Sequence, residues 1–167
     1  MATPTVMIKH MGRGLTGIAL TALPLLVTAP AGHAAVPAAP APEAFKITTQ
    51  LNGKCLAANG DNVEVQACSA RPVGNQLWYW EDKKLVNRAE SHCLDVRNGE
   101  LNAPAQLVGD CHGLADQRWV KDGGWLRTDV SNQCLSIQNN GDQREHAGIN
   151  LRDCGSNTWQ WWTLPNP

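Results

Sequence analysis

The stretch "NQLWYW", Asn75 to Trp80, contains a Gln-x-Trp triplet that returns as "DQRW" (116–119) and as "WQWW" (159–162). The glutamines of the three triplets are 41 and 43 residues apart: Gln76, Gln117 and Gln160. A period of this length is typical of stacked or symmetric supersecondary units. The sequence therefore predicts three similar structural units.

The six cysteines follow the same period. Each unit begins with Cys-Leu and carries a second cysteine near its middle. The first cysteines are Cys55, Cys93 and Cys134, and the second are Cys68, Cys111 and Cys154. Fifteen pairings are possible for six cysteines, so the sequence alone does not choose, but the repeat favours one bridge within each unit. Each bridge would stabilise the fold by about 3 kcal/mol.

Turn and strand signals in each unit indicate β-structure. An Asn-Gly pair, the strongest short hairpin signal, follows each Cys-Leu: Asn59-Gly60, Asn98-Gly99 and Asn140-Gly141. In the following strand apolar and polar residues alternate, with Val63 and Val65 on one face and Glu64 on the other. No helical pattern follows residue 45. Short strands predict an all-β barrel or sandwich, and the threefold repeat favours a pseudo-symmetric barrel.

The N-terminus has a different composition. Lys9 and Arg13 precede an apolar stretch (14–29) that ends in small residues, a pattern typical of a secretory signal peptide. We expect a signal peptide over 1–34, a Pro/Ala-rich linker over 35–44 and one folded domain over 45–167. The stretch is too short for a comfortable membrane span. We therefore expect a secreted protein without a membrane span, in an oxidising compartment that favours disulfides.

Composition argues against several functions. After loss of Lys9 and Arg13, 15 acidic residues outnumber the basic ones and leave a net charge of about −3. Nucleic-acid binding needs a basic face, so we expect no nucleic-acid partner. Catalytic motifs are missing from the sequence, and the histidines of the folded part do not share a position in the repeat. We expect no enzymatic activity, no cofactor and no metal site.

Three units of C-L-x-x, a second Cys and Q-x-W resemble the ricin B-type lectin family. The resemblance covers Phe45 to Leu164 and implies a β-trefoil, an all-β fold of three pseudo-symmetric repeats. It also implies three intra-repeat disulfides. One tryptophan of each repeat is expected to be buried where the lobes meet: Trp78, Trp119 and Trp162.

The resemblance also implies a sugar pocket in each unit. It needs an Asp two residues after the first cysteine, a ring two residues before the second and an Asn-Gln pair in the triplet. The second unit keeps the Asp after the first cysteine and the Gln of the triplet. It has Asp116 where Asn is usual and Gly109 where the ring is usual. His112, directly after the second cysteine, could replace the missing ring. The predicted carbohydrate-binding residues are Asp95, His112, Asp116 and Gln117. The alternative for Asp95 is a turn residue that caps backbone amides.

The other two pockets are degenerate. The first unit has Ala57 at the Asp position and Gln66 at the ring position but keeps Asn75 and Gln76, while the third unit keeps only Gln160.

Tryptophans outside the three expected core positions suggest an alternative to sugar binding. Trp125 aligns with Lys84 in the repeat, and Trp161 with Arg118, so we expect exposed rings and a protein-binding or inhibitor role as the competing hypothesis. The alternative is that these rings pack against the linker or a neighbouring loop. The candidate secondary binding residues are Asn75, Gln76, Trp125, Trp159 and Trp161.

Overall fold

The computed structural model describes residues 40–167, which form twelve short β-strands. The predicted signal peptide (1–34) and residues 35–39 of the predicted linker lie outside the described residues. No helix within residues 40–167 is long and apolar enough to cross a membrane. The strands are β1 Thr48–Thr49, β2 Cys55–Asn59, β3 Asn62–Gln66, β4 Trp78–Glu81, β5 Lys84–Asn87, β6 Cys93–Val96, β7 Ala105–Val108, β8 Trp119–Asp122, β9 Trp125–Thr128, β10 Cys134–Ile137, β11 Ala147–Arg152 and β12 Trp162–Thr163.

Four consecutive strands make each of three lobes, with β1–β4 in lobe 1, β5–β8 in lobe 2 and β9–β12 in lobe 3. In every lobe the two middle strands form an antiparallel hairpin: β2–β3, β6–β7 and β10–β11. The hairpins β4–β5 and β8–β9 join successive lobes. The last strand, β12, pairs with β1 through Thr48 opposite Thr163, which closes the arrangement. The predicted all-β trefoil is confirmed.

The disulfides stay within the lobes, as predicted. The bridges are Cys55–Cys68, Cys93–Cys111 and Cys134–Cys154, and none of the six cysteines is free. Each bridge ties the first strand of a middle hairpin to the loop that follows the second strand. This loop leads directly into the Gln-x-Trp triplet.

The core contains the three predicted tryptophans. Trp78, Trp119 and Trp162 are at most 1% exposed, and their indole N–H groups donate to backbone carbonyl oxygens at 2.9–3.0 Å. The acceptors are the leucines that follow the first cysteine of each lobe: Leu56, Leu94 and Leu135. The same buried hydrogen bond therefore recurs in each lobe. It joins two repeated features of the sequence, the Trp of the Gln-x-Trp triplet and the Leu of the Cys-Leu pair.

The Asn-Gly turns differ in length although the sequence signal is the same. In lobe 1, Asn59 pairs with Asn62, so the hairpin turns over two residues. In lobe 3, nine residues separate β10 from β11, and they begin with a four-residue helical turn, Gln138–Gly141. Asn140 there has φ +56°, a left-handed conformation that Asn tolerates better than most residues. Asn139 is left-handed as well, with φ +53°, so the segment is a turn and not a regular α-helix.

Candidate functional site

The glutamine of every Gln-x-Trp triplet holds the loop around the second cysteine. In lobe 2 the Gln117 Oε1 accepts the backbone N–H of Gly113 at 3.1 Å, and its Nε2 donates to the Asp110 carbonyl at 2.9 Å. Gln76 and Gln160 make the same pair of bonds in their lobes, at 2.7–2.9 Å. All three are at most 3% exposed. These glutamines therefore have a structural role in each lobe.

Asp95 on β6 is the buried anchor of lobe 2, at 4% exposure. Its Oδ1 accepts from Gln106 Nε2 at 3.0 Å and its Oδ2 accepts from Gln117 Nε2 at 3.1 Å. Both partners are side-chain amides, so the alternative role of capping backbone amides does not describe its contacts. A carboxylate has about four acceptor positions, and these two bonds leave about two for a ligand hydroxyl.

His112 lies next to this carboxylate and is exposed to solvent. Its Nδ1 accepts the backbone N–H of Leu114 at 3.1 Å. Nε2 is 3.2 Å from Gln117 Nε2 and so points into the same site. A sugar hydroxyl both donates and accepts, so it can hydrogen-bond an imidazole nitrogen in either tautomer.

Asp116 lies in the same cluster as Asp95 and His112. Its Oδ1 is buried and makes no hydrogen bond within the described residues. The ligand atoms of Asp95, His112 and Asp116 all lie within 4.8 Å of one another, a spacing that would also suit a metal ion. The repeat did not reveal this cluster, because the three residues have no metal-ligand spacing in the sequence.

The structure thus brings all four predicted residues of the second unit together. Sequence reasoning did not identify the residue that lies beside Gly109. A Cβ atom on Gly109, the position of the missing ring, would lie 3.0 Å from the His92 Nε2. The imidazole of His92 therefore occupies the space next to that position. His92 directly precedes Cys93, and neither spacing nor composition indicates that its ring would reach Gly109.

The predicted amides of the first unit have internal partners. Asn75 Nδ2 donates to the Ala58 carbonyl at 3.2 Å and lies 3.5 Å from Gln66 Oε1. Gln76 Nε2 lies 3.4 Å from the same oxygen. Both side chains therefore meet Gln66, which stands at the ring position of this unit.

The expectation of solvent-facing tryptophans is corrected. Trp125, Trp159 and Trp161 are all half-buried. The Trp125 indole donates to the Gly155 carbonyl at 3.0 Å, and Trp161 lies against Gly124. Alignment with Lys84 or Arg118 misled the prediction, because a position that carries a long aliphatic stem in one lobe can carry a packed ring in another.

Trp159 has the most open surroundings of the three. It packs against the core and lines a groove of about 200 Å³ together with Leu101, Asn157 and Arg152. Leu101 is 51% exposed and is one of the few large apolar side chains at the surface of the described chain.

The described residues form a β-trefoil, and in lobe 2 the side chains of Asp95, His112, Asp116 and Gln117 lie close together. Residues 43–119 match the family of the ricin-type beta-trefoil lectin domain. No curated protein matches the chain. The match and the fold together confirm the resemblance to the ricin B-type lectin family that the three repeats predict.

Solved structures show the same fold. The C-half of the earthworm R-type lectin in complex with GalNAc is similar with a TM-score of 0.64 and 18% identity over 75% of this chain and 100% of that chain. The Macrolepiota procera ricin B-like lectin in complex with lactose has a TM-score of 0.61 and 19% identity, covering 78% of this chain and 99% of that chain. The designed threefold symmetric protein ThreeFoil has a TM-score of 0.60 and 24% identity, covering 74% of this chain and 99% of that chain.

Proposed function

We propose that the protein is a secreted, non-catalytic carbohydrate-binding module whose best preserved sugar site lies in lobe 2. One observation carries the proposal: the buried Asp95 carboxylate is held by two amides and keeps free acceptor positions beside the His112 ring. Such a carboxylate accepts hydrogen bonds from neighbouring hydroxyls, and these bonds are stronger than those between neutral groups.

The similar lectins suggest which sugars to try first. Two of them have structures with GalNAc and with lactose, both of which are galactose-type sugars. At 18–19% identity these proteins support the fold and only motivate the choice of ligand. Site chemistry, and not the fold, has to carry the function.

We expect weak binding at this site. A ring stacked on the sugar is worth about 1 kcal/mol, and Gly109 provides none. His92 and His112 are smaller, polar substitutes. A dissociation constant near 1 mM corresponds to only about −4 kcal/mol, so the loss of one stacked ring matters.

The proposed chain organisation is a signal peptide over 1–34, a linker over 35–44 and the lectin-like domain over 45–167. Three disulfides support an oxidising destination. Residues 40–43 are exposed, whereas strand pairing begins at Phe45, whose backbone pairs with Trp78.

Calorimetric titration with lactose, N-acetylgalactosamine and xylobiose tests the proposal. We expect millimolar binding of at least one sugar and its loss in Asp95→Ala. Asp122→Ala is the matched control, because Asp122 is an exposed aspartate in the β8–β9 hairpin whose one ion pair, to Arg127, lies at the surface. Equal binding by Asp95→Ala and the wild type, with both proteins folded, would remove Asp95 from the site.

The protein-binding hypothesis has weaker support. Its motive was the departure of the first and third pockets from the family pattern, together with the surplus tryptophans. The rings of Trp125, Trp159 and Trp161 are half-buried with internal contacts. Pull-down with wild type and Trp159→Ala remains its test, because Trp159 lines an open groove.

A further inference from the structure

The missing carboxylate of lobe 1 has a counterpart on the neighbouring strand. The hairpin registers place Ala57 opposite Glu64 in lobe 1 and Asp95 opposite Gln106 in lobe 2. Directly opposite residues of an antiparallel pair lie on the same face, with Cβ atoms about 4.5–5.5 Å apart. Lobe 1 therefore keeps one carboxylate on this face, supplied by β3 instead of β2. In lobe 3 the corresponding pair is Ser136 and Asn150, and neither carries a charge.

The contacts of Glu64 resemble those of Asp95. Glu64 is 6% exposed, and its Oε1 accepts from Gln66 Nε2 at 2.7 Å. Its Oε2 has one partner, Asn59 Nδ2, at the long distance of 3.3 Å. In lobe 2 the triplet glutamine reaches the carboxylate directly, whereas in lobe 1 Gln76 reaches Gln66, which in turn holds Glu64. In both lobes, hydrogen bonds therefore connect the buried carboxylate to the glutamine of the Gln-x-Trp triplet.

Glu64 also faces an open space. It lines a groove of about 290 Å³ where residues of all three lobes meet, together with Asn62, Pro104, Gln138 and His146. His146 comes from lobe 3, is 63% exposed at its side chain and places its Nδ1 2.6 Å from Glu64 Oε1. The groove therefore combines a charged acceptor, two amides and an imidazole at its rim. These are the groups that bind vicinal hydroxyls.

We propose that this groove is a second saccharide site, anchored by Glu64 and completed by His146 and Gln138 of lobe 3. The proposal rests on the proposed carbohydrate-binding function and extends it to a site shared between lobes. The small groove suits one sugar unit of a neutral saccharide, whose hydroxyls donate to the Glu64 Oε2. Sequence spacing predicts no such site, because Glu64 is nine residues from the first cysteine instead of two.

NMR amide-shift titration of the full chain with lactose, N-acetylgalactosamine and xylobiose separates the two sites. We expect two groups of shifts, one around Asp95 and Gln117 and one around Glu64 and His146. Glu64→Gln should weaken binding at the second group by about tenfold or more, since the charged acceptor is lost, and leave the first group unchanged. Glu90→Gln, which changes an exposed glutamate, is the matched control.

Each outcome decides the proposal. Shifts confined to the lobe 2 residues, or lobe 1 shifts that persist unchanged in Glu64→Gln, overturn the Glu64 site and leave the proposed function standing. Absence of shifts with every probe overturns both. If Glu64→Gln does not fold, the shift map of the wild type alone still decides whether the groove binds sugar.

Discussion

At the scale of single residues, each core tryptophan combines a buried ring with one buried hydrogen bond. The indole N–H reaches the carbonyl of Leu56, Leu94 or Leu135, and this carbonyl lies too deep for water to replace the donor. An unsatisfied buried acceptor costs about 1–3 kcal/mol.

Substitution of these tryptophans by phenylalanine isolates that hydrogen bond. We expect Trp119→Phe to lower the free energy of unfolding by about 1–3 kcal/mol, from the unpaired Leu94 carbonyl plus a small loss of packing. Trp78→Phe and Trp162→Phe should cost similar amounts, because the three environments repeat. Denaturant unfolding measures all three, and a cost confined to one lobe would contradict the symmetry of the core.

The sequence predicts these residues well because the period fixes them. The repeat favours one disulfide within each unit. The resemblance to the ricin B-type lectin family implies the buried tryptophans and the meeting of Asp95 with Gln117. Glu64 and His92 follow from neither, since their proximity to a site depends on a contact across strands. The family pattern expects an Asp two residues after the first cysteine, and lobe 1 has Ala57 there. This pattern does not consider the opposite strand, which carries the carboxylate of Glu64.

At the scale of elements, the loop between β10 and β11 contacts another lobe. Glu145 forms an ion pair with Lys54 at 2.7 Å and accepts the backbone N–H of Ala67 at 2.8 Å. His146 bonds Glu64. Three similar Asn-Gly signals predict three similar hairpins, but the loops contain two residues in lobe 1, eight in lobe 2 and nine in lobe 3. In lobe 3 the end of this loop carries the two side chains that contact lobe 1, Glu145 and His146.

The Glu64–His146 contact makes stability depend on pH. Burial alone would raise the pKa of Glu64, but hydrogen bonds from His146, Gln66 and Asn59 leave that pKa below its ordinary value of 4.5. The hydrogen bond to Glu64 and the Glu64 charge raise the pKa of His146 above 6.5, with Glu145 adding to the rise and Lys54 opposing it. His146 then stabilises the fold fully below pH 6.5 and stops doing so as the pH rises through its raised pKa. Glu64 contributes above pH 4.5 and stops as the pH falls through its lowered pKa.

We therefore expect the destabilisation caused by His146→Gln to depend on pH. The difference in unfolding free energy from the wild type should be largest between pH 4.5 and 6.5 and should shrink on both sides. Denaturant unfolding across a pH series measures it. A difference that is the same at every pH would show that His146 acts through packing alone.

At the scale of the whole molecule, three lobes close through the β12–β1 pair and each lobe carries its own disulfide. The fold class was predictable because three repeated units of short strands favour a pseudo-symmetric barrel, and the resemblance to the ricin B-type lectin family implies a β-trefoil. Differences at the repeated positions, such as Ala57 in place of Asp, were also readable from the sequence. The contact of Glu64 with His146 was not, because both side chains lie outside the repeated positions.

Removal of one bridge tests the independence of the lobes. We expect the double variant Cys93→Ala and Cys111→Ala to remain folded but to lose about 2–5 kcal/mol of stability. The other two bridges should still form, because each closes within its own lobe. Peptide mapping without reduction checks this, and any bridge between Cys55 or Cys68 and a cysteine of lobe 3 would contradict it.

The central claim is that the carboxylate of lobe 2 gives the protein its affinity for sugar. A glycan array probed with the wild type and with Asp95→Ala tests it most directly. The account predicts signal on a group of related glycans, such as those ending in galactose or xylose, and loss of most of that signal in Asp95→Ala. Either no signal on any glycan or the same pattern and strength with both proteins would contradict the claim.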